Sequence, residues 1–272
     1  PMIIQWPDKF YHTSWDTLDK VDPEMLRKVG LLTATYAYFI ANAEKGEALW
    51  LSHEVTSRFK VEIATYTQKE VTGIVEKAGK QEDPGKFIAE SLKQLREKIE
   101  YRRDRGLERL HSTKRLVGEE AETFQTSLSL LDDEIRKAAE EEYRRAERAV
   151  GDYAFLLEAT PLPEPEMEAK TELEIKAKGM VPRRTIRGPV STRGYLTQLS
   201  EEEREELSKL QREHREGSAV ASTAMRWTDG ERSLLEISKL AELESGRKDL
   251  EFLVRYYEFL ERMGLIEFKT TP

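Results

Sequence analysis

Apolar residues recur at helical spacing through most of this chain. In the first such run Met25, Leu26, Val29, Leu32, Tyr36, Phe39 and Ile40 fall three or four apart, the signature of an amphipathic helix. Asp22 followed by Pro23 supplies its start, because a proline at the first helical position lacks only an N–H that has no partner there. Gly30 weakens the helix but permits close approach to a neighbour. Beyond Lys45-Gly46 the helices become longer and more charged. The spacing predicts one over 47–77, with Val55, Phe59, Ile63, Tyr66, Ile74 and Ala78 on a stripe. A second, over 84–111, follows the Asp83-Pro84 start signal and repeats Ile88, Leu92, Leu95 and Ile99. A third, over 119–157, is the most regular: Val117, Ala121, Phe124, Leu128, Leu131, Ile135 and Ala138 alternate four and three apart, as in antiparallel bundles and coiled coils.

Three prolines between Thr160 and Pro165 end this region. Leu173 and Ile175 alternate with charge, which predicts an edge strand over 170–178. Val181 to Arg193 reads as a basic loop, whose Arg183, Arg184, Arg187 and Arg193 either dock on acidic helices or reach a carboxylate of a substrate or partner. Ser200 with Glu203 forms a capping box for a helix to about Glu216, and 219–224 reads as a small-residue connection. Asp229-Gly230 marks a turn, helices follow near 233–245 and 249–263, and Gly264 precedes a strand over 265–268. That order of helix, helix and short strand resembles a winged-helix module. The second helix, however, carries four acids against two arginines, where a DNA-reading helix needs basic and amide side chains. A protein-packing role is expected, with one of Tyr256 and Tyr257 turned away from the core.

The expected fold is therefore mainly α, in four parts: 1–45, the end of an α/β domain; 46–159, a long helical bundle; 160–199, a linker with the basic loop; and 200–272, a helix plus the winged-helix-like module. Charged residues make up 35% of the chain and hydrophobic ones 38%, a balance that suits long exposed helices. A net charge of −8 argues against coating nucleic acid, which takes clustered Lys and Arg. With no cysteine, disulfides and thiolate metal sites are excluded, and a cytoplasmic location is favoured. Secretion stays open because the true amino terminus need not be Pro1. No apolar run reaches the roughly 20 residues that span a bilayer.

The densest chemistry lies at the front. Met2 to Gln5 reads as a short buried strand, and Asp8 to Thr17 (Asp-Lys-Phe-Tyr-His-Thr-Ser-Trp-Asp-Thr) as the loop after it, where functional groups tend to sit. Taken alone, His12 is an ordinary surface or packed histidine, and Thr13, Asp16 and Thr17 are ordinary turn and capping residues. The run Tyr-His-Thr, Trp-Asp-Thr and Leu18-Asp-Lys-Val-Asp-Pro23 nonetheless resembles, over roughly 1–42, the last metal-ligand segment of the di-zinc aminopeptidases. These form metallopeptidase family twenty-eight, whose relatives include glutamate carboxypeptidase and the transferrin receptor.

The resemblance implies that His12 is the final zinc ligand and that Tyr11 helps polarise the scissile carbonyl; Asp16 is then the natural candidate for the carboxylate that orients the imidazole, because metal-bound histidines commonly donate their other ring N–H to one. It also implies two zinc ions, a peptide with a free amino end as substrate, hydrolysis by metal-activated water, and a homodimer built through the helical bundle, to which the alternative is that the bundle's apolar stripes pack against one another inside one chain. The remaining family ligands, a His-X-Asp, a Glu-Glu pair and a further Asp, precede the final histidine, yet only eleven residues precede His12. His53, His111 and His214 open His-Glu-Val, His-Ser-Thr and His-Arg-Glu instead. Pairs such as Glu119-Glu120 and Glu201-Glu202 read as solvated helix faces.

The expectation is a carboxyl-terminal portion of a zinc aminopeptidase, beginning mid-fold at Pro1, inactive and without zinc on its own. The alternatives are a non-catalytic interaction protein that keeps a relic of the motif, and a winged-helix regulator, which the acidic second helix disfavours.

Overall fold

The computed structural model describes residues 3–4, 6–117, 122–160, 162–163, 171–188 and 192–269. The chain is mainly helical and divides into two compact units, Pro1–Pro165 and Glu166–Pro272.

The first unit holds α1 (Pro23–Asn42), α2 (Lys45–Ala78), α3 (Pro84–Ser112) and α4 (Glu122–Leu156). Asp22 caps α1, accepting from the N–H groups of Glu24 and Met25, and Asp83 caps α3 through Lys86 N–H. Both follow the predicted Asp-Pro signal. Helices α2, α3 and α4 pack on one another around one core of Phe59, Ile63, Ile88, Leu95, Leu110, Leu128, Ile135 and Val150. The α4 stripe runs as predicted through Ile135 and then continues through Ala139, Tyr143, Ala146, Val150 and Ala154. Ala138 is only half-buried: a straight helix of 3.6 residues per turn drifts off a strict seven-residue repeat. Val117 packs partly against the core, while Ala121 lies outside the described residues.

Polar links join the bundle helices at the rim. Glu62 of α2 accepts from Arg102 at 3.2 Å and Arg109 at 2.9 Å of α3, and Lys98 reaches Glu70 at 2.8 Å. The Arg102 guanidinium also lies 3.6 Å from the centre of the Tyr66 ring. Arg103 pairs with Asp104 and Arg105 with Glu108, so the basic knot of this helix is neutralised by its own neighbours.

The front of the chain differs from expectation. Ile3 and Ile4 belong to no strand and are 52% and 62% exposed; Met2 and Gln5 lie outside the described residues. Helix α1 forms where predicted, yet none of its residues is buried.

The second unit is built from α5 (Glu172–Gly179), β1 (Pro182–Arg184), α6 (Glu201–Glu213), α7 (Gly217–Trp227), α8 (Leu234–Ser245), α9 (Leu250–Arg262) and β2 (Ile266–Phe268). Strands β1 and β2 pair antiparallel, Pro182 opposite Phe268 and Arg184 opposite Ile266, and Arg183 forms a further bridge with Asp229. The core gathers Leu207 and Leu210 of α6, Val220 of α7, Ile237 of α8, and Phe252, Leu253, Tyr257 and Leu260 of α9.

Three local expectations are corrected here. The stretch read as an edge strand is α5, because the Thr171–Glu174 capping box starts a helix that buries Ala177 on one side and leaves Ile175 exposed; Lys170 lies outside the described residues. The small-residue connection is α7, whose Val220, Ala221 and Ala224 pack inward. Tyr256 and Tyr257 both face protein. Tyr257 is fully buried, with its hydroxyl 2.8 Å from Thr228 Oγ1. Tyr256 is half-buried and stacks on Phe252, the ring centroids 5.1 Å apart.

Candidate functional site

The loop carrying His12 is held by its own turns. Asp8 accepts from Phe10 N–H at 2.8 Å, an Asx turn of the kind short carboxylates favour. The Thr13 hydroxyl donates back to Phe10 O at 2.7 Å and accepts from Trp15 N–H at 3.2 Å. Asp16 N–H then donates to Thr13 O at 3.2 Å. These bonds wind the chain tightly enough to put His12 at φ 60°, the left-handed region where His is several-fold enriched among non-glycine residues.

The result is an imidazole displayed on the outside. The Tyr11 ring stacks on it, centroids 3.9 Å apart and planes 26° from parallel, and Trp6 meets Tyr11 edge-on at 6.4 Å. Tyr11, His12 and Asp16 are all exposed. The turn geometry stacks the Tyr11 ring on His12. Among the described residues neither ring nitrogen of His12 has a hydrogen bond, and none joins it to Asp16. Next in the chain, Lys20 and then Thr17 donate to Asp19 and hold its carboxyl below the usual carboxylate range.

Zinc takes three or four protein ligands in a closed or catalytic site. Among the described residues no three His, Asp or Glu side chains gather closely enough to hold a metal ion. His12 therefore offers a single ligand, and the described residues do not by themselves fit a zinc ion.

Two histidine–carboxylate pairs escaped the sequence reading because their members are far apart in the chain. His111 Nε2 lies 2.9 Å from Asp132 Oδ1 across α3 and α4. His214 Nδ1 lies 2.7 Å from Asp249 Oδ2, a largely buried pair that ties the end of α6 to the start of α9. Each is an isolated pair, and each joins two helices. The cleft of about 230 Å³ between α3 and α4 is lined by Arg96, Arg103, Arg136, Glu100, Glu140 and Tyr143 among others. Arg96 pairs with Glu100 at 3.1 Å and lies 4.8 Å from the centre of the Tyr143 ring, so much of its charge is matched within the protein.

In the second unit both arginines of α9 and its Glu258 pair with neighbouring helices. Arg255 pairs with Glu206 and Arg262 with Glu203, both on α6, while Glu258 pairs with Lys176 of α5. Of the basic-loop arginines, Arg183 pairs with Glu267 across the two strands. No helix among the described residues is long and apolar enough to cross a membrane. No family model, curated protein or solved structure matches this chain.

Proposed function

We propose that this chain is the carboxyl-terminal portion of a zinc-dependent aminopeptidase, contributing His12 as one metal ligand and Tyr11 beside the scissile carbonyl. The observation that carries this is the Tyr11–His12 step. A loop fixed by its own hydrogen bonds displays an exposed imidazole, without a hydrogen-bond partner among the described residues, stacked on a phenol and ahead of a helix none of whose residues is buried. His111 and His214 each meet a carboxylate instead. The other ligands would come from a catalytic domain outside these residues, and Asp16 would turn to the imidazole only once that domain is in place.

On this proposal the bundle of α2, α3 and α4 is a scaffold after the catalytic domain and the homodimer forms through it. Residues 200–272 form a helix plus a winged-helix-like module that packs against protein. The engagement of Arg255 and Arg262 by α6 supports that role over DNA reading. The test is hydrolysis of an aminoacyl arylamide by the polypeptide extended through the coding sequence upstream of Pro1. Activity that chelation abolishes and zinc restores is expected. An extended polypeptide with neither activity nor zinc would favour the other reading, a non-catalytic interaction protein with a relic loop.

A further inference from the structure

Helix α1 is amphipathic, yet none of its residues is buried. Met25, Leu26, Val29, Leu32, Tyr36, Phe39 and Ile40 share an arc of roughly 140° at 100° per residue. The one polar residue within that arc, Thr33, donates its hydroxyl to Val29 O at 2.8 Å. The other polar residues, Glu24, Arg27, Lys28, Thr35 and Asn42, lie on the other side of the helix with Leu31 and Tyr38, and Glu24 pairs there with both Arg27 and Lys28. On the apolar side Met25, Leu26, Leu32, Tyr36 and Ile40 are between 41% and 62% exposed. Phe39 meets the ring of Trp50 edge-on at 6.2 Å, and Trp50 is itself 59% exposed. The apolar patch thus runs on from α1 to the front of α2.

Met25, Val29, Leu32, Tyr36 and Phe39 alternate four and three apart, the spacing with which one helix lies along another. A helix lying on lipid needs a strongly charged opposite face rich in Lys and Arg. Here two bases share one acid, and the chain carries a net charge of −8. The seam is also complementary to itself when reversed. Met25 and Val29 make an aliphatic first half, Tyr36 and Phe39 an aromatic second half, and Leu32 stands midway. A two-fold axis at Leu32 sets Met25 of one copy beside Phe39 of the other and Val29 beside Tyr36, so that each larger side chain meets a smaller one. Aromatic side chains carry about 150–250 Å² each and aliphatic ones rather less. By those figures the exposed parts of Met25, Leu26, Leu32, Tyr36, Ile40 and Trp50 come to roughly 600 Å² per copy, and a pair that covers them buries roughly 1,200 Å², enough for a specific interface.

We infer that a second copy of this chain covers α1, the two helices packed antiparallel about Leu32 with Trp50 at the rim. The pairing rests on these residues and not on the peptidase reading. It sets the contact of the homodimer at α1 and the front of α2, not along the whole bundle.

Sedimentation of the 272-residue chain tests the pairing. A mass of twice 31.5 kDa is expected at micromolar concentration. Leu32→Glu puts two carboxylates at the axis and is expected to weaken association at least about a hundredfold, since like charges brought together across an interface are costly. The bundle of that variant is expected to melt as before, because Leu32 is not buried within one copy. Leu130→Glu, on α4, is expected to leave the dimer intact. The chain has no cysteine, so Leu32→Cys is expected to oxidise to a covalent dimer across the axis. Met25→Cys, about 20 Å from its counterpart in an antiparallel pair, is expected not to. A monomer at every concentration overturns the proposal, as does a dimer that Leu32→Glu leaves whole. Loss of the dimer in Leu130→Glu alone assigns the contact to the outer face of α4 instead. Met25→Cys that links as readily as Leu32→Cys shows a parallel pair and overturns the antiparallel one. Co-flotation of a monomeric chain with phosphatidylglycerol vesicles gives the face to lipid. None of these outcomes depends on zinc, so the pairing and the peptidase proposal fail independently.

Discussion

Gly106 of α3 lies against the ring of Phe59 of α2, so close that a Cβ on Gly106 would stand 2.7 Å from a ring carbon. No real contact is that short. The two helices approach along this line because the glycine leaves room for the phenylalanine, which is itself only 3% exposed. Gly106→Ala is therefore expected to destabilise the bundle by about 1–3 kcal/mol, the usual cost of overpacking a close-packed core. Gly30 of α1 has nothing within 4 Å of its Cβ position. Gly30→Ala is expected to leave the bundle untouched and to raise the helicity of α1, by up to about 1 kcal/mol. Urea unfolding followed by circular dichroism separates the two.

Neighbouring leucines on α4 make a second contrast. Leu131 is 2% exposed and Leu130 64%. Leu131→Ala is expected to cost about 2–5 kcal/mol, through lost burial and the cavity left behind, and Leu130→Ala no more than about 0.5 kcal/mol. Comparable losses for both would mean that the outer face of α4 is covered, as a homodimer through the bundle would require.

Asp249 does two jobs in the second unit. One carboxylate oxygen accepts from Phe252 N–H at 2.9 Å, capping α9, and the other meets His214 at 2.7 Å. Asp249→Ala removes both and leaves a largely buried histidine without its partner, so a loss of about 2–3 kcal/mol is expected. His214→Ala spares the cap and is expected to cost less. Thermal unfolding of the two variants gives the order, and the reverse order would show the cap to be the minor term.

Acid is expected to loosen this unit through its capping boxes. The Ser233 hydroxyl and then the Ser233 N–H hold the Glu236 carboxyl below the ordinary glutamate value of 4.5, and Ser200 N–H chiefly does the same for Glu203. A carboxyl whose pKa is lower in the folded state gives stability that is fully present above the unfolded value and lost as pH falls through the folded one. The melting temperature should thus fall as pH drops below about 4.5. Glu236→Gln should flatten that fall, and an unchanged pH profile would show that the box carries no stability.

Much of the architecture was legible because long helices repeat their signal many times. Phe124, Leu128, Leu131 and Ile135 were placed by spacing alone, and Asp22-Pro23 and Asp83-Pro84 marked the helix starts. Short elements were not. Three alternating residues around Leu173 and Ile175 fit a strand or one turn of helix equally well, and the Thr171–Glu174 box decides for the helix. The sequence of α7, Gly-Ser-Ala-Val-Ala-Ser-Thr-Ala, carries too little apolar contrast to show its buried face.

At the candidate site, Tyr11 and His12 were found by motif, and their adjacency follows from the chain itself. The stacked geometry and the left-handed backbone at His12 depend on the turns made by Asp8 and Thr13. His214 and Asp249 were out of reach of any local pattern, since folding alone brings them together.

The most direct test is the zinc content of the polypeptide extended upstream of Pro1, with and without His12→Ala, beside that of the 272-residue chain alone. Two zinc ions per extended polypeptide, loss of at least one on substitution, and no stoichiometric zinc on the chain alone are expected. One tightly held zinc on the chain alone that depends on His12, or an extended polypeptide whose zinc is indifferent to His12, would contradict it.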